Sequence, residues 1–248
     1  MNAIEDNSYT QSLRKLGERL PRPKAILCIS AHWQTKGTFV TSTDTPKQIY
    51  DFYGFPEELY NVKYKAVGSS VAALKIHSVI ENFKIDFDNG QWGLDHGTWC
   101  VLQHLYPKAD IPVLQLSLNV NLTPQEHFNL GRELNKLREL GIMIIGSGNI
   151  VHNLRTISWN ENETPLAWAA EFDNWFKTNL INKNIDALIN NFHDSPSGLK
   201  SIPTLEHYLP ALYVLAAASP LDKLNITYEQ IQNASISMLS FEFASSQI

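Results

Sequence analysis

An apolar run at residues 142–145 that ends in a glycine-rich turn is the feature that most limits what this chain can fold into. Gly141 and Gly146 bound the run, and the turn continues through Ser147-Gly148-Asn149 to His152. Four consecutive apolar residues between glycines are typical of a buried strand. Open α/β sheets place their chemistry where strands end. The run therefore predicts a sheet with a histidine close to its edge.

Three more histidines stand in comparable settings. His32 follows a near-continuous apolar run, His96 lies between small and aromatic residues, and His207 lies at the start of a predicted helix. Neutral imidazole binds zinc and iron well, so histidines that converge at strand ends would suit a divalent metal. No His-x-x-x-His pair is present, and spacing alone leaves open that backbone hydrogen bonds satisfy each histidine. The other four are expected to be structural or solvated: His77, His104, His127 and His193.

The alternation of strand and helix patterns predicts the fold class. We predict one α/β domain over residues 1–248, with a mostly parallel or mixed central sheet and helices on both faces. Thr123, Pro124 and Glu126 form a helix start with a capping box. Strands are predicted at 24–30, 38–43, 111–118 and 142–146, with closing strands at 226–228 and 235–243; helices are predicted at 9–20, 68–83, 97–105, 123–140, 165–180 and 206–218.

Composition narrows the functional classes. The chain has 248 residues, of which 44% are apolar, which suffices for a buried core. A net charge of -5 argues against nucleic-acid binding, since no basic stripe is available for phosphates. No apolar run approaches the roughly 18 residues of a membrane span, and the first residues do not resemble a signal peptide. Cys28 and Cys100 cannot form a disulfide framework. These observations favour a cytoplasmic protein.

The turn after the run at 142–145 matches no common catalytic loop. Gly146-Ser147-Gly148 lacks the full Gly-x-Ser-x-Gly elbow of α/β-hydrolases, the Lys-Ser/Thr of a P-loop, and a Gly-x-Gly-x-x-Gly pattern. Aromatic residues are concentrated between Tyr50 and Tyr60. Such a cluster is more often packing, but beside His32 it could form one side of a pocket for an aromatic substrate.

Five motifs, read together and in order, resemble those of DOPA-dioxygenase-type enzymes of the class III extradiol ring-cleavage superfamily. The resemblance runs from Ile4 to about Phe241, and five ordered motifs are far more specific than any one of them. The motifs are Ser30-Ala31-His32-Trp33, Asp51-Phe52-Tyr53-Gly54-Phe55-Pro56, Gly93-Leu94-Asp95-His96-Gly97-Thr98-Trp99, Gly148-Asn149-Ile150-Val151-His152-Asn153-Leu154 and His207-Tyr208-Leu209-Pro210.

The resemblance implies an oxidoreductase that inserts both atoms of O2 into DOPA or a related catechol and opens the ring beside the two hydroxyls. It implies a mononuclear Fe(II) site, which in bacterial relatives often holds Zn(II). His32, His152 and His207 match metal ligands, and His152 also matches a substrate-facing base. His96 matches an acid/base histidine that contacts the substrate. A neutral histidine can take a catechol proton and later return one.

Three details of this site are further expectations. Trp33, Tyr53, Phe55 and Trp99 are expected to wall the substrate pocket, and Asp95 could orient His96. Glu206 could replace His207 as a ligand, giving two histidines and a carboxylate, or cap the following helix. Adjacent helical residues point about 100° apart, so only one of the two is expected to reach the metal.

The resemblance has one departure. Family members open with an apolar strand that ends in Gly-His-Gly-Ser/Ala-Pro-Met, and Met1 aligns with the final methionine of that motif. We expect the first strand and its histidine to be missing, either because the start is assigned too late or because the chain is truncated. The first explanation predicts tighter metal binding and higher stability in a chain that is extended upstream.

Two rival functions remain at this stage. One is a zinc-dependent hydrolase or amidase on the same scaffold, because a fold does not determine chemistry. The other is an inactive, metal-poor form. The expected partners are a small catechol and O2, with no nucleic acid and no membrane, and the expected state is a monomer or weak oligomer.

Overall fold

The computed structural model describes residues 2–245, so Met1 lies outside the described residues. At its centre is a five-stranded sheet in the order β3-β2-β4-β1-β5. β2 and β4 are antiparallel, while the other neighbouring strands are parallel. The strands are β1 (Ala25–Thr35), β2 (Thr38–Val40), β3 (Ile85–Phe87), β4 (Val113–Asn119) and β5 (Ile142–Ser147).

Successive residues of β1 face opposite sides of the sheet, as the period of two in a strand requires. Leu27 and Ile29 belong to a core cluster on one side, and Ile26 belongs to a second cluster on the other side. All three are fully buried, because helices cover both faces of the sheet. The predicted α/β class with a mixed sheet is therefore confirmed.

The helices lie close to their predicted ranges. Asn7 caps the first helix, and Thr123 and Glu126 form the predicted capping box at the fifth. Three short helices carry no strong pattern and were not predicted: one at the end of the aromatic loop (residues 44–60) and two after the sixth helix. The helices are α1 (Ser8–Arg19), α2 (Glu57–Asn61), α3 (Ser70–Val79), α4 (His96–Leu105), α5 (Pro124–Glu139), α6 (Ala167–Ile181), α7 (Ile185–Asn190), α8 (Gly198–Ser201) and α9 (Leu209–Ala217).

Several strands differ from their predicted form. β5 is only half buried after Ile142, because within residues 2–245 it pairs only with β1 and so forms an edge of the sheet. β3 was predicted as loop, since three residues carry too little pattern. The closing segments form two small hairpin sheets outside the central one: β6 (Lys223–Tyr228) pairs with β9 (Ser240–Ala244), and β7 (Ile231–Gln232) pairs with β8 (Ile236–Ser237). Among the described residues, no helix is long and apolar enough to cross a membrane.

Candidate metal centre

Four histidines from four separate segments of the chain converge at the carboxyl ends of β1 and β5. The ring centroids of His32 and His96 are 3.9 Å apart, and those of His32 and His207 are 5.2 Å apart. The rings of His152 and His207 stack, with centroids 3.4 Å apart and planes inclined by 10°. The structure thus brings together all four histidines that stood out in the sequence.

His32 owes its position to an irregularity in β1. Along this stretch β1 advances from Ile29 to Gln34 while its partner β4 advances only from Leu116 to Leu118. The extra residues of β1 have no partner in β4, as in a bulge, and they include His32. Bulges beside active sites redirect a side chain away from the regular alternation of the strand. The predicted strand ended at residue 30, because the period of two does not show such an irregularity.

The turn after β5 allows two other elements to approach closely. A Cβ atom added to Gly148 would lie 2.3 Å from the carbonyl oxygen of His207, and one added to Gly146 would lie 2.5 Å from that of Pro210. The Ser147 hydroxyl donates a hydrogen bond to the carbonyl of Gly97, at 2.6 Å. The glycine-rich turn is therefore the point where the residues before α9 and the start of α4 meet the edge of the sheet.

Gly97 provides space for His32. A Cβ at Gly97 would lie 2.8 Å from Cδ2 of His32 and 2.5 Å from Oγ of Ser30. The neighbouring His96 is the first residue of α4, which begins after Asp95. The start of α4 thus supplies His96, and because Gly97 has no side chain it leaves room for His32.

The backbone around His152 is held by neighbouring loops. The His152 N–H donates to the carbonyl of Ser201 at 3.0 Å. The Asn153 amide donates to the carbonyl of Lys200 at 2.8 Å, and the Asn149 amide donates to that of Ser237 at 2.7 Å. These bonds fix a segment without regular secondary structure, so the His152 ring is presented from a rigid support.

Burial keeps three of the histidines in the neutral form. It lowers the pKa of His152 to about 4 and that of His207 well below its usual value. Burial, with help from the nearby His96, also lowers the pKa of His32. Neutral imidazole is the form that binds metals. Nδ1 of His207 is buried without a hydrogen-bond partner within residues 2–245, which is costly unless a ligand satisfies it. The donor set fits a divalent metal.

Glu206 also faces this centre. Oxygen and nitrogen atoms of His152, Glu206 and His207 lie within 4.8 Å of one another, so each could donate to one ion. The Thr204 hydroxyl donates to Oε1 of Glu206 at 2.7 Å and orients the carboxylate. Glu206 and His207 precede α9 in a turn, so the 100° rule for helical neighbours does not separate them. The expected helix cap is wrong, because α9 begins after Tyr208 without a side-chain cap.

Asp51 is a site residue that sequence reasoning missed. Its Oδ1 accepts the backbone N–H of His96 at 2.8 Å, and its Oδ2 lies 3.0 Å from Nδ1 of His96 and 3.8 Å from Nδ1 of His32. Burial raises the pKa of Asp51, but its contacts with His96 outweigh burial and hold the pKa below its usual value. The carboxyl group is therefore ionised at neutral pH. Asp51 is part of one of the five sequence motifs. It lies 45 positions before His96, however, so no short-range sequence pattern connects the two residues.

The expected role of Asp95 is wrong. Asp95 is fully buried, and its Oδ1 accepts the backbone N–H of Thr98 at 3.0 Å as the cap of α4. Its Oδ2 accepts the side-chain amide of Gln115 at 2.7 Å. Adjacent side chains diverge at a helix start, and both Asp95 oxygens are occupied by groups other than His96.

The expected aromatic wall needs correction as well. Trp99 is fully buried and donates from Nε1 to the carbonyl of Ile49 at 2.9 Å, so it supports the loop from the inside. Trp33 is 4% exposed, whereas Tyr53 is 92% exposed. Among the described residues, Phe52 contacts the centre, with its ring edge-on to His96 at a centroid distance of 5.4 Å. Which aromatic residues of a loop line a pocket depends on how the loop folds, and the sequence alone does not show this.

The remaining histidines lie in other contacts. His104 Nε2 is 2.8 Å from the carbonyl of Asn2, and His127 Nδ1 is 2.8 Å from the Tyr213 hydroxyl. His77 stacks on Phe87, and His193 lies against Phe192. Packing and hydrogen bonding account for these positions.

Comparisons with known proteins agree with one another over almost the whole chain. The family described as the catalytic LigB subunit of aromatic ring-opening dioxygenase matches residues 2–244. A protein of Escherichia coli K12 named 4,5-DOPA dioxygenase extradiol is 45% identical over 244 residues, covering 98% of this chain and 90% of that protein. Its namesake in Beta vulgaris is 36% identical over 251 residues, covering 99% and 93%. The crystal structure of an uncharacterized protein from Escherichia coli K12 has a TM-score of 0.83 at 42% identity, covering 96% and 93%.

Proposed function

The chain belongs to the family of catalytic LigB subunits of aromatic ring-opening dioxygenases, and we propose that it opens the ring of DOPA or a closely related catechol beside the two hydroxyls. The protein is an extradiol dioxygenase, a metal-dependent enzyme that uses a small aromatic substrate and O2. The observation that carries the choice of site is the convergence of the His32, His96, His152 and His207 rings, together with Nδ1 of His207, which is buried without a hydrogen-bond partner among the described residues.

We propose that His32, His152 and His207 hold the metal, with Glu206 in reach as an oxygen donor. Three neutral imidazoles suit iron and zinc alike, so the donor set admits both. We propose Fe(II) as the active metal and Zn(II) as an alternative occupant. Fe(II) with open positions supplies the redox chemistry and the positive charge that oxygenation of a catechol needs.

His96 is the proposed acid/base residue. Its ring lies beside His32, and its Nδ1 lies beside Asp51. It is not one of the three proposed metal ligands, so its ring is available to the substrate. A histidine at this place can take the second proton of the catechol and return a proton to the opened product. The side chain of His96 remains 29% exposed, so a substrate can reach it from the surface. Phe52, edge-on to His96, offers an apolar surface to the aromatic ring.

His152 has two proposed roles that metal content separates. Its ring stacks on His207, so it can ligate the metal, and it lies near enough to His96 for the charge of that residue to help lower the pKa of His152. A ligand role predicts that His152→Gln loses bound Fe(II). A role as a substrate-facing base predicts that the variant keeps its metal and loses turnover.

The test is a single-turnover measurement on the Fe(II)-loaded protein. The protein is loaded without oxygen, mixed with DOPA, and exposed to air while an electrode follows O2 and absorbance follows the yellow ring-opened product. Consumption of one O2 per DOPA is expected, and tyrosine, which lacks the second hydroxyl, should give none. Protein with one Fe(II) per chain that consumes no O2 with DOPA or with simpler catechols would overturn the proposal.

A variant and its matched control test the acid/base role of His96. His96→Gln should keep its Fe(II) and lose about 10² to 10⁴ in kcat, the usual contribution of a general acid or base. His77→Gln is the matched control, because His77 lies against Phe87 outside the centre, and it should change neither quantity. Wild-type turnover by His96→Gln would remove this residue from the chemistry.

A further inference from the structure

We propose that Asp51 is a positioning residue that sets the orientation and tautomer of His96. Asp51 lies in the aromatic loop between β2 and α2, and His96 is the first residue of α4. The inference rests on the proposed role of His96 as the acid/base group. It adds a residue whose effect on the reaction passes through His96 and not through the metal or the substrate.

Both oxygens of Asp51 are directed at His96. Oδ1 accepts the backbone N–H of His96 at 2.8 Å, and Oδ2 lies 3.0 Å from Nδ1 of the ring. The first backbone N–H groups of a helix have no partner within the helix, so the loop satisfies one of them at α4. The backbone contact holds the carboxylate beside the ring of the same residue, so Oδ2 stays within reach of Nδ1.

The ring contact is close but not yet well aligned. At 3.0 Å the atoms are within hydrogen-bond distance, but the Nδ1–H direction does not point at Oδ2 closely enough to count as a hydrogen bond. Catalytic hydrogen bonds are often misaligned before the substrate binds and tighten in the complex. A rotation of the ring that turns Nδ1–H towards Oδ2 would complete the bond, while the backbone contact holds the carboxylate in place.

The chemistry of the pair then selects one tautomer. An ionised carboxylate can only accept hydrogen bonds, whereas a neutral imidazole has one N–H and one lone pair. Asp51 beside Nδ1 therefore favours the proton on Nδ1 and leaves the lone pair on Nε2. Nε2 becomes the atom that accepts a proton from the substrate. Without Asp51 the two tautomers compete, and only a fraction of the molecules has the base in the right form.

No other acidic side chain that the structure places beside His96 can take this role. Both oxygens of Asp95 are bound to Thr98 and Gln115. Glu206 is grouped with His152 and His207 and is oriented by Thr204. Asp51 is also 3.8 Å from Nδ1 of His32, so the alternative is that it contributes to the metal site itself. The experiment below separates the two.

The informative substitution is Asp51→Asn. Asparagine can still accept the backbone N–H of His96 through its oxygen, so the start of α4 is preserved. Its amide group then donates towards Nδ1, which moves the ring proton to Nε2 and removes the lone pair from the catalytic atom. We expect kcat for DOPA to fall about 10²-fold or more, with KM and Fe(II) content unchanged. Asp44→Asn is the matched control, since Asp44 begins the same loop and caps Ser70, and it should keep wild-type kinetics.

A double-mutant cycle tests whether Asp51 acts through His96. In a His96→Gln background, Asp51→Asn should change kcat less than about twofold, because the group it positions is gone. A full additional loss in that background would overturn the inference. Loss of Fe(II) from Asp51→Asn would also overturn it and would assign Asp51 to the metal site.

A spectroscopic measurement keeps this inference separate from the proposed function. Imidazole ¹⁵N shifts of the metal-free protein, assigned by comparison with His96→Gln, report the tautomer whether or not any catechol is cleaved. The wild type should carry the proton on Nδ1, and Asp51→Asn should move it to Nε2. A wild-type proton on Nε2, or no change in the variant, would refute the role of Asp51. If the tautomer switches as expected but DOPA is not oxidised, the proposed function fails and the positioning role stands.

Discussion

Replacing Gly148 by alanine would place a methyl group against the backbone that carries His207. The added Cβ would lie 2.3 Å from the His207 carbonyl oxygen and 3.1 Å from Cγ of Pro210. Non-bonded carbon contacts are optimal at about 3.5–4.0 Å, so the two backbones must separate by about 1 Å. The clashing atom belongs to the main chain, and no rotation of a side chain relieves it. The substitution therefore displaces His207 itself.

The expected costs follow from this displacement. Overpacking of this kind destabilises a protein by about 1–3 kcal/mol, and each kcal/mol lowers Tm by roughly 2–4 °C in a chain of this size. A displacement of about 1 Å at a reacting centre can cost about 10²-fold in rate. Gly148→Ala should thus lower Fe(II) affinity and kcat far more than its effect on stability accounts for.

The assay compares Gly148→Ala with Gly17→Ala. A Cβ at Gly17 would lie 1.9 Å from the carbonyl oxygen of Leu105, where α1 packs on the end of α4 remote from His96. Both variants should lose stability in thermal unfolding, but only Gly148→Ala should lose Fe(II) and turnover per folded molecule. Equal metal content and kcat in the two variants would refute the argument that the turn after β5 sets the position of His207.

Three further predictions use other parts of the fold. His207→Ala should reduce Fe(II) affinity by more than the roughly 10–100-fold that loss of an outer partner causes, and metal analysis after dialysis measures it. Thr123→Ala should remove the α5 cap and cost about 1 kcal/mol, which thermal unfolding detects. Burial lowers the pKa of His127 to about 4, below its ordinary 6.5, so the unfolded state binds the proton more readily. The contribution of neutral His127 to the free energy of unfolding is therefore fully present above pH 6.5. It is lost as the pH falls towards 4, and the loss amounts to about 3 kcal/mol at most. Denaturant unfolding should show a weaker acid dependence in His127→Gln than in the wild type, and parallel curves would contradict this assignment.

Local physics explains the parts that were predictable. The Thr123–Glu126 capping box forms between residues three apart, so the sequence contains both halves of it. The apolar run at 142–145 and the glycines around it were enough to predict β5 and its turn, since strand propensity and backbone freedom act over a few residues. The four histidines stood out because each lies at the end of an element, and the ordered motifs linked them to one family.

The tertiary structure decided what depends on residues far apart in the chain. The irregularity in β1 is defined by its register with β4. The direction of the His32 side chain could therefore not be predicted from the sequence of β1 alone. Asp51 and His96 meet only because the aromatic loop folds back onto the start of α4, and for the same reason Asp95 was the wrong choice. The path of that loop also determines the roles of two aromatic residues. Trp99 is buried beneath the loop and supports it, whereas Phe52 lies against His96 at the site. The sequence by itself determined the elements and the candidate residues, because these arise from interactions between near neighbours. Only packing, which closes long loops and selects one arrangement of side chains, determined which residues hold each histidine in place.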